Sequence, residues 1–127
     1  MKRAPVFDVL LSRRVQIALA VLPSALSLIL YYSLAVHMRL SLGYWPEAVG
    51  DHGFPPSLTA HANLALEYFF ALLYFVMFVL PLGLVLCAAI RRCKPFLFLL
   101  LVTGIAFGVS CVLMCFAPTK FIEWWLD

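Results

Sequence analysis

The chain alternates between long apolar runs and short polar joints. Val15 to Val36 is apolar except for Gln16, and Pro95 to Ala117 carries no charge. Between them, an apolar run from Tyr68 to Ile90 follows a mixed segment. A transmembrane helix needs about 20 mostly apolar residues, and all three runs reach that length. The runs are continuous and do not alternate, which favours helices over a β-barrel. The pattern predicts an all-α integral membrane protein with three transmembrane helices in a single domain. The expected boundaries are spans at about 15–36, 64–90 and 95–117, an outer loop over 37–63, and an interfacial tail over 118–127. The helix of the second span is expected to begin near Leu58. The joint Arg91 to Lys94 is so short that spans two and three must form an antiparallel hairpin.

The third run contains a stripe of small residues, Gly104, Gly108, Cys111 and Cys115. At about 100° per residue these fall on one face. Small residues let helix backbones approach closely in lipid. The third span is therefore expected to be the helix on which the others pack. A small face on the first span (Ala18, Ala20, Ser24, Ala25, Ser27) could receive it. Pro23 is expected to kink the first span, and Pro81 with Gly83 the second. Ser57 or Thr59 is the expected N-cap of the second helix.

Composition agrees with the pattern. The 127 residues are 65% hydrophobic and 12% charged, against about 25% charged in soluble domains. Mean hydropathy is +1.05. Charge sets the orientation. Seven of the nine Lys and Arg (Lys2, Arg3, Arg13, Arg14, Arg91, Arg92, Lys94) lie on one side. Five of the six acids (Glu47, Asp51, Glu67, Glu123, Asp127) lie on the other. The positive-inside rule then places the N-terminus in the cytoplasm and the C-terminus outside. The basic residues sit at membrane edges and form no patch with interleaved aromatics, so nucleic acid is not an expected partner. Ser12-Arg13-Arg14 faintly resembles a twin-arginine export signal, but the following positions do not match. Ser33-Leu34-Ala35 could serve as a signal-peptide cleavage site; the first span is read as a retained anchor.

Candidate chemistry is sparse. There is no nucleophile elbow, phosphate loop, HExxH motif or carboxylate pair, so no enzymatic activity is expected. Glu67 is a possible functional acid, because an ionisable residue at a span is a candidate by default. Asn63 shares its face. His37 and His61 flank the outer loop and are weak metal or haem candidates; no metal and no cofactor is expected. Met38 and His52 add possible ligands without a diagnostic spacing. Cys111, Met114 and Cys115 could form a soft metal site, but cysteine is also a small hydrophobe at home in packed helices. Cys93, in the basic joint, could be palmitoylated in a eukaryote. Tyr44, Trp45, Phe121, Trp124 and Trp125 are expected at the head-group layer or against a partner.

Arg39-Leu40-Ser41-Leu42-Gly43-Tyr44-Trp45-Pro46, with Phe121-Ile122-Glu123-Trp124-Trp125-Leu126-Asp127 at the end, resembles small bacterial inner-membrane proteins that share an LGxWP segment and an EWxxD-like tail. The resemblance implies a bacterial inner membrane and supplies no activity. Length and topology are also similar to the anchor subunits of succinate dehydrogenase, whose quinone motif and mid-span haem histidine have no counterpart here. The expected function is a non-catalytic accessory or scaffolding subunit of a larger respiratory or photosynthetic membrane complex, with lipid and other membrane subunits as partners. The alternatives are a homo-oligomeric channel or small transporter, and a haem- or quinone-binding anchor.

Overall fold

The computed structural model describes residues 12–46 and 53–127. Lys2, Arg3, Glu47, Asp51 and His52 lie outside the described residues. All regular structure among the described residues is helical. Helix α1 spans Arg13–Leu42, α2 spans Pro56–Ala89, α3 spans Leu97–Met114, and a short α4 spans Thr119–Leu126. Three segments, Arg13–Leu42, Pro56–Ala89 and Lys94–Met114, are long and apolar enough to cross a membrane. The chain is thus a multi-pass membrane protein, with α2 and α3 joined as a tight hairpin.

The first two helices are longer than their apolar runs. Nothing between Val36 and Leu42 breaks a helix, so α1 continues until Gly43, which adopts the left-handed conformation (φ 74°) and donates its N–H to Arg39 O. Helix α2 begins at Pro56, where a missing N–H costs nothing, and Pro55 rather than Ser57 or Thr59 occupies the cap. Residues 37–42 and 56–63 of the expected loop over 37–63 are accordingly helical. His37 and His61 stand on helices, not in the loop.

The hub is α1, not α3. Its buried residues, Gln16, Ala20, Ser24, Ser27, Tyr31, Leu34, Ala35 and Met38, face both neighbouring spans. Helix α3 runs parallel to α1. Gln16 Nε2 donates to Pro95 O near its start (3.1 Å), and Tyr31 Oη donates to Met114 O at its end (3.2 Å). Tyr32 Oη adds a bond to Leu113 O (2.6 Å). The face of α3 buried here is Thr103, Phe107, Ser110 and Met114, one residue earlier than the expected stripe. Gly104 instead faces α2, with its missing Cβ 3.7 Å from Leu80 Cδ1. Gly108 has nothing within 4 Å, and Cys115 is exposed. The small residues of α1, not those of α3, bring these two helices close.

The proline in α2 is absorbed by a wider turn. Phe75–Val79 is π-helical, and Leu80 N–H reaches back to Phe75 O. A proline ring clashes with the carbonyl four residues before it, and the extra residue in this turn moves that carbonyl away from Pro81. Two residues on, Gly83 leaves room for Leu100, whose Cδ1 lies 3.2 Å from where a Cβ would stand.

The dense core sits at one end. Tyr31, Leu34, Ala35 and Met38 of α1, Leu58, Ala62 and Ala65 of α2, Met114 at the end of α3, Ala117 after it, and Phe121 and Trp124 of α4 form one cluster. Helix α4 closes it. Pro118 turns the chain back, and the apolar face of α4 buries Phe121 completely and Trp124 to 3% exposure. These two side chains, expected at the head-group layer or against a partner, are instead buried within their own chain. Their rings meet Tyr31 (4.9 Å from Phe121) and Phe54 (6.2 Å from Trp124). Replacing a buried large aromatic by alanine removes both transfer energy and packing. Phe121→Ala is therefore expected to destabilise the protein by about 3–5 kcal/mol in detergent denaturation. Leu126→Ala, at a residue 78% exposed, is expected to change stability by less than about 0.5 kcal/mol.

Candidate functional site

Among the described residues, two imidazole rings and a serine hydroxyl meet at the loop end of α1 and α2. His37 and His61 each stand five residues from the connection, as counted from 37 to 42 and from 56 to 61. Antiparallel packing of α1 and α2 therefore brings them level. Their Nδ1 atoms lie 3.0 Å apart, and the rings are tilted by 37°. Ser33, one turn before His37, places its Oγ 3.1 Å from His61 Nε2. Ser33 Oγ is also 3.1 Å from Leu30 O.

These contacts assign the protons. Leu30 O can only accept, so the single Ser33 proton goes there, and Ser33 Oγ accepts from His61 Nε2–H. A neutral His61 then carries a bare Nδ1, which accepts from His37 Nδ1–H. The result is a one-way chain, His37 to His61 to Ser33 to Leu30, linking two helices. Both rings are half-buried. The chain accommodates two neutral imidazoles or one protonated at His37 Nε2. Two doubly protonated rings would set N–H against N–H and break it. A haem iron held by two imidazoles needs their nitrogens about 4 Å apart across a porphyrin. The Nδ1 atoms of His37 and His61 stand closer than that, at 3.0 Å.

The remaining candidates are dispersed. Cys111, Met114 and Cys115 border an apolar cavity of about 160 Å³ with Tyr31, Phe69 and Trp125. Cys115 Sγ donates to Cys111 O (3.4 Å), as a helical cysteine does without any ligand. Among the described residues, no three His, Cys, Asp or Glu side chains gather. Glu67 and Asn63 both point outward from α2. Glu67 is 22 residues from Ala89, a rise of about 33 Å, which places it near one bilayer-core thickness from the hairpin turn. Tyr44 is 55% exposed. Trp45 is half-buried between the Arg39 guanidinium, 5.9 Å from its ring, and Phe121, at 5.8 Å. Trp125 packs edge-on against Tyr31 and Phe69. Of the five aromatics expected at the surface, Tyr44 is the exposed one. The RLSLGYWP and FIEWWLD patches touch through Trp45 and Phe121.

Comparison with family models, with curated proteins and with solved structures gives no match. The likeness of these two patches to small bacterial proteins thus rests on the patches alone.

The proton assignment can be checked directly. Nitrogen-15 NMR of the histidine rings at neutral pH is expected to show His61 protonated at Nε2 and His37 at Nδ1. The reverse pair of tautomers would mean that Ser33 donates to His61. A double-mutant cycle of His37→Ala and His61→Ala is expected to give a coupling of about 0.5–1.5 kcal/mol, the worth of one cross-helix hydrogen bond.

Proposed function

We propose that the chain is a non-catalytic accessory or scaffolding subunit of a larger membrane complex in a bacterial inner membrane. Its N-terminus and the Arg91–Lys94 turn face the cytoplasm, and its loop, α4 and C-terminus face the periplasm. A respiratory or photosynthetic assembly is the kind of complex meant.

The observation that carries this reading is how the interior polar groups are used. Gln16, Tyr31, Tyr32, Tyr68 and Ser110 each reach a backbone carbonyl of another helix or its lead-in: Pro95, Met114, Leu113, Pro23 and Ser24. In lipid such bonds hold helices in register, each contributing roughly 0.6–2 kcal/mol. Together they make a framework of ties between helices. The outward surface offers features a partner helix can use: the open Gly108 on α3, and Asn63 with Glu67 on α2. The basic flanks at Arg13, Arg14, Arg91, Arg92 and Lys94 support the orientation.

A second reading rests on Glu67. An outward acid near the membrane boundary suits a self-assembled channel or small transporter, because three helices cannot enclose a pore. One preparation separates the two readings. Native extraction in mild detergent is expected to give a particle containing other polypeptides. Gly108→Leu is expected to leave the stability of the isolated chain within about 0.5 kcal/mol of the parent while removing those polypeptides. A particle built only of copies of this 14.3 kDa chain, with flux altered by Glu67→Gln, would overturn the subunit reading in favour of the channel.

A further inference from the structure

The histidine pair has a second use that does not depend on the subunit reading. We propose that His37 and His61 form a two-histidine site for a divalent transition ion of the Zn²⁺ or Cu²⁺ type, which clamps α1 to α2 beside the periplasmic loop.

Three observations converge on this. The first is separation. A tetrahedral ion with metal–nitrogen bonds of about 2.0–2.1 Å holds two ligand nitrogens about 3.3 Å apart. The Nδ1 atoms stand at 3.0 Å, so the ion requires them to part by a few tenths of an ångström and both rings to turn off the line that joins them. The second is orientation. A metal-binding histidine is held through its other ring nitrogen by an outer acceptor, which fixes the tautomer and aims the lone pair at the ion. Ser33 Oγ does this to His61 Nε2 at 3.1 Å, and its bond to Leu30 O leaves it free to accept. The third is placement. The two ligands come from different helices at the same level, half-buried, so water can reach the ion and complete its coordination.

The proton balance is simple. In the metal-free chain one proton, on His37 Nδ1, stands between the rings. When the ion takes that place, His37 changes tautomer and its proton moves to Nε2. Both rings stay neutral, and no net proton is released. Imidazole nitrogen suits zinc, copper and nickel, and it disfavours the hard cations magnesium and calcium, which prefer oxygen. With two protein ligands and water the site binds reversibly, and its effect is mechanical. Binding ties the loop end of α1 to that of α2 and adds stability through mass action.

The test uses the full chain in detergent, stripped with chelator and titrated with ZnCl₂. Thermal stability is expected to rise saturably with zinc, to return on adding EDTA, and to be unmoved by MgCl₂. His37→Gln and His61→Gln are each expected to abolish the rise. Ser33→Ala is expected to weaken half-saturation by roughly 10-fold or more, as loss of an outer-shell partner does. The Cys111→Ser, Cys115→Ser double variant is expected to keep the full response. A measurement on the unaltered chain guards against variants that fail to fold: Cu²⁺ bound at one equivalent is expected to show two nitrogen couplings in its paramagnetic resonance spectrum. A stability curve that zinc does not move would overturn the proposal. So would a response that outlasts the loss of either histidine or follows the cysteines, and so would a copper spectrum without nitrogen coupling.

Discussion

Tyr31 is the residue through which the helices hold together. Its ring is 1% exposed, and three elements meet on it. Its hydroxyl donates to Met114 O at the end of α3, and its ring touches Phe121 and Trp125 of α4. The carbonyls at a helix C-terminus lack their regular partners, and a membrane interior supplies no water to replace them. Here Ala117 and Phe116 N–H groups tighten the last turn onto Met114 O and Leu113 O, and Tyr31 and Tyr32 add a second donor to each. The end of α3 is therefore satisfied from α1. That makes the turn at Pro118 possible without exposed backbone, and the turn brings α4 back onto the ring that closed it.

From this point stability is unevenly distributed. At the loop end four helices share aromatic and aliphatic residues, and the exposed residues fall outside the cluster. Towards the hairpin turn, α2 leaves the bundle and touches mainly α3, through Leu80 and Gly83 against Gly104 and Leu100. Val85, Leu82 and Met77 there are more than 60% exposed. In water such a surface would be a liability; in lipid it costs nothing, because the tails are as apolar as the side chains. The π-turn at Phe75–Val79 lies between these two regimes. It lets the upper part of α2 follow the cluster and the lower part follow α3.

How much of this was legible in the sequence follows from the kind of signal each feature leaves. The spans and hairpin were readable because length and hydropathy determine them, and the tight turn followed from Arg91 to Lys94. The helix ends were not, because α1 and α2 extend past their apolar runs through residues that are polar yet helix-compatible, such as His37, Arg39 and His61. The stripe of α3 was misplaced by one residue. The buried face carries the large Phe107 and Met114 beside Thr103 and Ser110, so residue size alone does not mark it, and the small residues of α1 make the room for it. The fate of α4 was hidden for a different reason. An amphipathic helix with Phe121, Trp124 and Trp125 looks the same whether it lies on lipid or on its own chain, and the decision rests on Tyr31, 90 residues before Phe121.

The histidine pair shows where sequence signal existed and was spaced unusually. Neither residue belongs to a motif, and 24 positions separate them. Yet each stands five residues from the same connection, and two antiparallel helices joined there must bring such residues level. The symmetry matters more than the residue type. It places two titratable, ligating rings across the one seam where α1 and α2 pack closely, with Ser33 below them to set the protons. A seam held only by apolar contacts can slide by small steps, because neighbouring leucines and alanines are nearly interchangeable. A seam with one directional chain of hydrogen bonds, His37 to His61 to Ser33, has a single register in which the donors meet the acceptors. The pair therefore specifies the alignment of the first two helices even when nothing is bound. For the same reason, whatever replaces the proton between the rings acts on that alignment and, through Leu34, Ala35 and Met38, on the cluster that α4 closes.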